Sequence, residues 1–391
     1  MLVLAGGCKK KTSYDVVEQN PYLGMPGLLD HLINFDISRL RLRDGFREFR
    51  QELLDDPQAG IIFEALDKRM GLNPLDDVDR VVVGVRGRVD PDDPVKNLLV
   101  LFQGRFSNAD QMMEGLHQWV AEEYLIAPPP FRKSTHPGTD FKRFQTSGQS
   151  MYSEQNLVLE LNFAILESPG GDGAGEDPSS PGRGLMVFSF NSALVAETLD
   201  VISGQMEGIQ KDENWVTMLD RPDTSSFFWG TGNLDPAMTR GAQALSGLSK
   251  AGQYYFHLNL KTNPEAELGL VCDSIESAEA LAGEIKTGIQ SLKGLMPLVA
   301  MAAPETAKLP DKIVAIPKQE ITRVILKLTE SDHRALVNEW KALARQAEES
   351  GQLPLPLPGM MPPGGQQPFP GMPPPPGQPP QATPVQPQPG Q

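Results

Sequence analysis

The chain has 391 residues, which suits one large domain or two of medium size. Its 50 acidic residues exceed its 35 basic ones, and a formal net charge of −15 repels phosphate backbones, so we expect no nucleic acid partner. Cys8 and Cys272 are the only cysteines, too few for a disulfide framework. Cys272 ends the apolar run AELGLVC, which predicts a buried structural thiol.

The first residues, MLVLAGGCKKK, lead a short apolar run and two glycines directly into Cys8. This order resembles the lipobox of bacterial lipoproteins, in which a peptidase cuts before the cysteine and the cysteine sulfur carries a diacylglycerol. The resemblance covers residues 1–8, with alanine where the family usually has leucine three places before the cysteine. It implies a lipidated Cys8 as the first residue of the mature protein, after a recognition segment of Leu4, Ala5, Gly6 and Gly7.

Residues 9–21, KKKTSYDVVEQNP, are predicted to be a polar linker. Each of its lysines is expected to contribute about 1 kcal/mol to binding at anionic lipid headgroups. The resemblance implies a bacterial cell envelope location, with membrane lipid as the partner of the acylated Cys8. Lys9, rather than an aspartate, follows that cysteine, which favours the outer membrane. A chance apolar start in a soluble cytoplasmic binding module is the alternative.

The body of the chain repeats one order of elements: strand-like segments lead into an amphipathic helix four times. The strand pairs are RVVVGV with NLLVLFQGRF, NLVLELNFAIL with GLMVFSF, YYFHLNL with AELGLVC, and KIVAI with TRVILKL. The apolar positions expected on one face of each following helix are Met112, Leu116, Trp119 and Val120; Val195, Leu199, Ile202 and Met206; Leu281, Ile285, Ile289 and Leu292; and Leu336, Val337, Trp340 and Leu343.

The residues before each predicted helix carry side-chain oxygens that can bind the free N–H groups of a first turn. These N-cap candidates are Asn108, Asn191 or Ser192, Ser274 or Ser277, and Thr329. Thr329 with Asp332 has the spacing of a capping box. In the third hairpin Phe256 and Leu258 alternate with polar residues, which predicts a sheet with one buried and one wet face.

Two segments interrupt this pattern. Residues 167–184, rich in glycine, proline, serine and acids, are predicted to be a mobile loop. Residues 351–391 hold many prolines and no charged residue, which predicts a disordered tail rich in polyproline II. The run GLMPLVAMAAP is the most membrane-like stretch, but it has about half of the roughly 20 apolar residues that a span needs.

A strand–strand–helix unit cannot bury its own apolar face, so the units must pair. We therefore predict an α+β fold of antiparallel-rich sheets backed by helices, in two similar halves at 22–215 and 216–350. One continuous sheet through the whole body is the alternative. In NLLVLFQGRFSNADQMMEGL and AELGLVCDSIESAEALAGEI, a strand leads through a small polar residue into a helix. This order is similar to that of uncharacterised repeat-containing bacterial envelope lipoproteins.

No catalytic, cofactor-binding or metal-binding site is predicted. The histidines, at positions 31, 117, 136, 257 and 333, show no metal-ligand spacing and are expected at the surface or half-buried. Acidic pairs such as Asp76 and Asp77 are expected in solvated turns. Phe227, Phe228 and Trp229 can line a ligand groove, but a core strand explains them more simply.

The predicted function is that of a membrane-anchored envelope lipoprotein acting by binding or scaffolding, without cofactor, with an envelope protein or polymer as a possible further partner. The alternative is that the protein is an enzyme, a lipid-anchored hydrolase whose site is assembled from scattered residues.

Overall fold

The computed structural model of the chain describes residues 17–43, 45–87, 96–106, 109–123, 131–146, 161–167, 183–234, 246–260 and 263–350. Within this part the fold is of the predicted α+β class, with helices packed on an antiparallel sheet. Cys8, most of the predicted loop 167–184 and the tail 351–391 lie outside the described residues.

The strands of the described residues form one antiparallel sheet of 12, in the order β11-β12-β10-β9-β8-β1-β2-β3-β7-β6-β5-β4. Their bounds are β1 His31–Asp36, β2 Val78–Val85, β3 Leu98–Arg105, β4 Phe131–Thr135, β5 Lys142–Thr146, β6 Asn162–Glu167, β7 Arg183–Ser189, β8 Phe228–Asn233, β9 Ala251–Asn259, β10 Glu265–Cys272, β11 Ile313–Lys318 and β12 Ile321–Lys327.

The α-helices are α1 Ile37–Arg41, α2 Phe46–Asp55, α3 Pro57–Ala65, α4 Pro74–Asp77, α5 Ala109–Glu123, α6 Ser192–Ile202, α7 Glu213–Leu219, α8 Ile275–Val299, α9 Leu309–Lys312 and α10 Glu330–Ser350. A π-helical turn, Leu66–Met70, and four 3₁₀ turns, Pro21–Gly24, Ile209–Lys211, Ser246–Lys250 and Thr306–Lys308, complete the described elements. None of these helices is long and apolar enough to cross a bilayer.

Strand β1 lies at the centre of the sheet and joins its two sides. It pairs with β2 from His31↔Val85 to Asp36↔Arg80, and with β8 from His31↔Gly232 to Phe35↔Phe228. The sheet therefore runs without a break through both predicted halves, and the boundary at residue 215 falls inside α7. Because β1 runs from His31 to Asp36, we call the two ends of the sheet the His31 end and the Asp36 end.

The four predicted strand pairs are present, and each is followed by a helix: β2–β3 by α5, β6–β7 by α6, β9–β10 by α8 and β11–β12 by α10. Three predicted N-caps are confirmed. Asn191 accepts a hydrogen bond from the N–H of Ala193, and Ser274 from that of Ser277. Thr329 and Asp332 form the capping box, each accepting the other's backbone N–H.

Helices cover parts of both faces of the sheet, which differs from the prediction of one buried and one wet face. On one face α6 and α7 bury a large cluster around Leu101, Val187 and Trp229. On the opposite face α5 packs over β3, β7, β6 and β5, and α8 packs over β9 to β12. Strands such as β7, whose residues Gly184–Val187 are all buried, are apolar on both faces for this reason.

Some positions predicted on buried helix faces are exposed. Met206 follows the end of α6, and Leu292 and Trp340 lie on stretches of α8 and α10 that extend past the cores. Residue 108 and the side chains of Trp119 and Val120 are outside the described part of the chain.

Candidate functional site

Part of one sheet face, on the same side as α5 and α8, carries apolar side chains that belong to none of the three hydrophobic clusters. The pairings Phe35↔Phe228, Gly230↔Phe256 and Phe256↔Leu268 place these residues on one face of β1, β8, β9 and β10. All are half-buried except Leu268, which is 39 % exposed. We call this set the aromatic face: Ile33, Phe35, Val83, Phe188, Phe228, Phe256, Leu258, Leu268 and Val324.

The phenylalanine rings form a connected row across three strands. Ring centroids are 6.1 Å apart between Phe35 and Phe228, and 5.0 Å apart between Phe228 and Phe256. Phe227 approaches Phe35 at 5.8 Å. These separations lie within the range of favourable edge and tilted aromatic contacts, so the rings hold one another in place and present a continuous apolar surface.

Two glycines of β8 make room for this row. A Cβ at Gly230 would stand 2.6 Å from Cε1 of Phe256, and a Cβ at Gly232 would stand 2.6 Å from Nδ1 of His31. Neither glycine needs an unusual backbone angle, because neither has a positive φ. The glycines of the FWGTGN strand therefore serve to let neighbouring rings lie flat over the backbone.

No charged side chain lies on this side of the central strands in the register that the structure describes. The residues on it are His31, Ile33 and Phe35 in β1, Phe228 and two glycines in β8, and Tyr254, Phe256 and Leu258 in β9. At the His31 end, the Tyr254 hydroxyl lies 3.2 Å from Nδ1 of His31, and burial raises the pKa of Tyr254. Such a surface suits an apolar partner.

Helix α10 follows β12 and so begins at the Asp36 end of the sheet. Its Glu339 carboxylate accepts hydrogen bonds of 2.7 Å from the backbone N–H groups of Glu305 and Thr306, which follow α8. Its Lys341 ammonium binds Glu52 of α2 at 2.7 Å. No described side chain of α10 is fully buried.

The structure separates the aromatic residues that the sequence grouped together. Trp229 is 1 % exposed and lies in the large core cluster on the opposite face, as the core interpretation predicts. Phe227 and Phe228 instead lie on the aromatic side, where both contact the ring of Phe35. Because side chains alternate along a strand, Phe228 and Trp229 of β8 point to opposite faces, whereas Phe227 precedes the strand.

The remaining candidates stay dispersed. His31 and His136 are buried, contrary to the expectation of surface or half-buried histidines, because His31 packs on Tyr254 and Nε2 of His136 lies 2.8 Å from Asp200. Cys272 is buried as predicted, and burial raises the pKa of its thiol. The described residues hold no group of three or more His, Cys, Asp or Glu side chains that could bind a metal ion.

A buried polar cluster on the opposite face was not predicted from the sequence. The Tyr255 hydroxyl donates to Glu267 at 2.7 Å, and Nε of Arg323 donates to the same carboxylate at 2.6 Å. Burial would raise the pKa of Glu267, but the hydrogen bonds from Arg323 and Tyr255 hold it below its usual value. The residues come from β9, β10 and β12, so only strand register brings them together.

Comparison with known proteins gives no family. No protein-family model matches the chain, and no curated protein matches it. Two solved structures match: crystal form III of TP0453, with a TM-score of 0.37 and 8 % identity over 81 % of this chain and 97 % of that chain, and crystal form I, with a TM-score of 0.34 and 10 % identity over 81 % and 95 %. At these scores the likeness supports no assignment.

Proposed function

We propose that this chain is a lipid-anchored protein of the bacterial cell envelope that acts by binding, not by catalysis, and that the aromatic face holds the acyl chain of its ligand. The anchor is the thiol of Cys8, within a segment that resembles a lipobox. The observation that supports binding is the connected row of Phe35, Phe228 and Phe256, half-buried outside every hydrophobic cluster.

An acyl chain fits the chemistry of this face better than a polar ligand does. The central strands offer methyl groups and rings without a charge, and a partner with unpaired polar groups would lose its hydration there without compensation. Burying a hydrocarbon chain contributes about 0.8 kcal/mol per methylene. The outer membrane, which we propose as the location, supplies such chains directly.

The binding site is tested with a fluorescent long-chain fatty acid and the purified full chain carrying Cys8→Ala, which removes the anchor. Leu268→Asp places a charge on the aromatic face and is expected to weaken binding at least tenfold. Ile316→Asp is the matched control, because Ile316 is 40 % exposed, close to the 39 % of Leu268, but lies on the opposite face. Equal affinities of the two variants would contradict an acyl-chain site here and would leave an envelope protein or polymer as the partner.

The anchor is tested separately in cells. The natural chain is expected in the membrane fraction, at outer-membrane density, and the Cys8→Ala chain is expected to be released. Mass spectrometry of the purified natural protein is expected to show a diacylglycerol on Cys8. An unprocessed amino terminus with a bare thiol would remove the lipoprotein assignment and would leave the soluble binding module.

We further propose that the four hairpin–helix units are copies of one repeat and that the body divides into two similar halves. The shared order of β2–β3–α5, β6–β7–α6, β9–β10–α8 and β11–β12–α10 supports this. Separately expressed residues 1–215 and 216–391 are expected to reassociate when mixed, since each half carries two units. Failure to form a soluble complex would argue for a single indivisible body.

A further inference from the structure

The C-terminal end of α8 projects beyond the sheet that it covers. Its 25 residues span about 37 Å, whereas the eight residues of β10 beneath it span about 26 Å. Helix α8 begins after Cys272 at the His31 end and runs toward the Asp36 end, where β11 starts at Ile313. The last turns of α8 therefore reach past β10, and they pack against the turn Thr306–Lys308 and α9.

These last turns are apolar and exposed. Leu298 is 71 % exposed and Met301, just after the helix, is 86 % exposed. Leu292 and Leu295 of the same stretch are also exposed, and the only charged side chain from Ser291 to Ala302, Lys293, binds Asp311 at 2.8 Å. This is the GLMPLVAMAAP run that is too short to span a membrane.

A tryptophan lies beside this stretch. Trp340 of α10 is 58 % exposed, and its indole N–H donates to Oγ1 of Thr306, five residues after Met301. Tryptophan favours the boundary between water and hydrocarbon because its ring is apolar and its N–H is polar. Leu42 and Phe49, which follow β1 in the chain, are also exposed at the Asp36 end.

The N-terminal chain enters the body at the same end. Arg80 donates to the carbonyl of Gln19 at 2.9 Å and to the buried carboxylate of Asp36 at 2.9 Å, and Gln103 donates to the carbonyl of Glu18. The nine peptide units from Cys8 to Val17 span at most about 30 Å. A lipidated Cys8 would therefore keep the Asp36 end within that distance of the bilayer.

From these observations we infer that the Asp36 end is a membrane-contact surface, on which Leu295, Leu298, Met301 and Trp340 enter the headgroup region of a phospholipid bilayer. The inference rests on the proposed anchor for its orientation, because the tether and the apolar surface leave the body from the same end. The shallow insertion of a helix end needs far fewer apolar residues than a span. The surface adds to the anchor because it buries further apolar side chains at the boundary of the bilayer.

Flotation with vesicles of phosphatidylethanolamine and phosphatidylglycerol tests this surface without the anchor, using the full chain with Cys8→Ala. That chain is expected to float with the vesicles, and Leu298→Glu is expected to lower the bound fraction at least fivefold. Leu28→Glu is the matched control, because Leu28 is also 71 % exposed but lies next to Asp30 at the His31 end.

A second pair of variants lies on α8 itself. Ile275 and Leu292 are each 49 % exposed and lie at opposite ends of this helix. Leu292→Glu is expected to reduce flotation severalfold, whereas Ile275→Glu is expected to leave it unchanged. The inference is overturned if the Cys8→Ala chain does not float with the vesicles. It is also overturned if the two variants of either pair lose the same bound fraction, even if Cys8 proves to be lipidated.

Fluorescence gives an independent measurement. Vesicles with brominated acyl chains are expected to quench the Cys8→Ala chain, and Trp340→Phe is expected to remove most of that quenching. Quenching that persists in Trp340→Phe would place another tryptophan at the bilayer and contradict the assignment of this end. If the Cys8→Ala chain floats but Cys8 of the natural protein proves to be a bare thiol, the membrane-contact surface is supported and only the proposed anchor is rejected.

Discussion

The phenol ring of Tyr255 on β9 lies flat over Gly269, its directly opposed partner on β10. A Cβ at Gly269 would stand 2.0 Å from Cε1 of this ring, closer than any side chain can approach. The ring position matters because it brings the Tyr255 hydroxyl to Glu267, which Arg323 also binds. A single glycine thus sets the geometry of the polar cluster that ties β9, β10 and β12 together.

Gly269→Ala is therefore expected to destabilise the fold. The ring must move to accept the methyl group, and overpacking of this kind costs about 1–3 kcal/mol. Urea unfolding measures the loss. Gly252→Ala on β9 is the control, because a Cβ there meets no atom within 4 Å, and its free energy of unfolding is expected to stay within about 0.5 kcal/mol of the natural chain. A comparable loss in both variants would contradict the role of the Tyr255 ring.

Glu267→Gln tests the charge in the same cluster. Removing the carboxylate leaves Arg323 without its anionic partner, and hydrogen bonds to charged groups are worth about 1.5–3 kcal/mol. Tyr255→Phe keeps the ring and the ion pair and removes one hydrogen bond, so a smaller loss is expected from it. If the two variants lose equal stability, the ion pair contributes nothing beyond the tyrosine hydrogen bond.

The pH dependence of stability follows from the same residue. The pKa of Glu267 is lower in the folded chain than its usual value of about 4.3, so its contribution is complete above that value. It is lost as the pH falls from about 4.3 through the lower folded pKa, because the unfolded chain then binds the proton first. Unfolding free energies measured between pH 6 and pH 3 are expected to fall less steeply for Glu267→Gln than for the natural chain.

Asp332 at the start of α10 gives a second acid-sensitive contact. Lys312 and the N–H and hydroxyl of Thr329 hold the pKa of this carboxyl at about 2. Its stabilising contribution is therefore present above the usual value of about 3.9 and is lost as the pH falls through about 2. At neutral pH, Asp332→Asn is expected to speed amide exchange in the first turns of α10 severalfold and to leave β9 and β10 unchanged, as hydrogen exchange can measure.

Gly230→Ala is expected to disturb both the aromatic face and the pairing of β8 with β1. The added methyl group would stand 2.6 Å from the Phe256 ring and 2.8 Å from the carbonyl of Leu32, so the ring must leave its place in the phenylalanine row. Fatty acid affinity is expected to fall at least threefold. Gly283→Ala on α8, where a Cβ meets nothing within 4 Å, is expected to bind as the natural chain does. Unchanged affinity of Gly230→Ala would show that the row does not contact the ligand.

The hairpins and most helix starts could be predicted because their signals are local. Period-two and helical patterns mark each unit, and Asn191, Ser274 and Thr329 cap their helices as the sequence suggests. Strand β1 was missed because HLINFD is short and places Asn34 and Asp36 at buried positions, 4 % and 2 % exposed. Only partners such as Arg80 and Trp229, distant along the chain, make it a strand.

The aromatic face and the projecting end of α8 depend on relations that no local pattern contains. Whether Phe228 or Trp229 points into the core is decided by the register of β8 against β1. Whether Leu298 is buried is decided by the length of a helix relative to the strand beneath it. Likewise, no local pattern shows that helices cover both faces of the sheet, because α6 and α8 lie on opposite sides only in the folded chain.

The central place of β1 also sets the order in which the molecule can be completed. Its edge toward β8 stays open until the ribosome has made residue 233, about two hundred residues after β1 itself, so the middle of the sheet closes late. A nascent or prematurely terminated chain would offer that edge to any other extended segment. Cells that make this protein therefore need to keep its first half from pairing with copies of itself until the second half arrives.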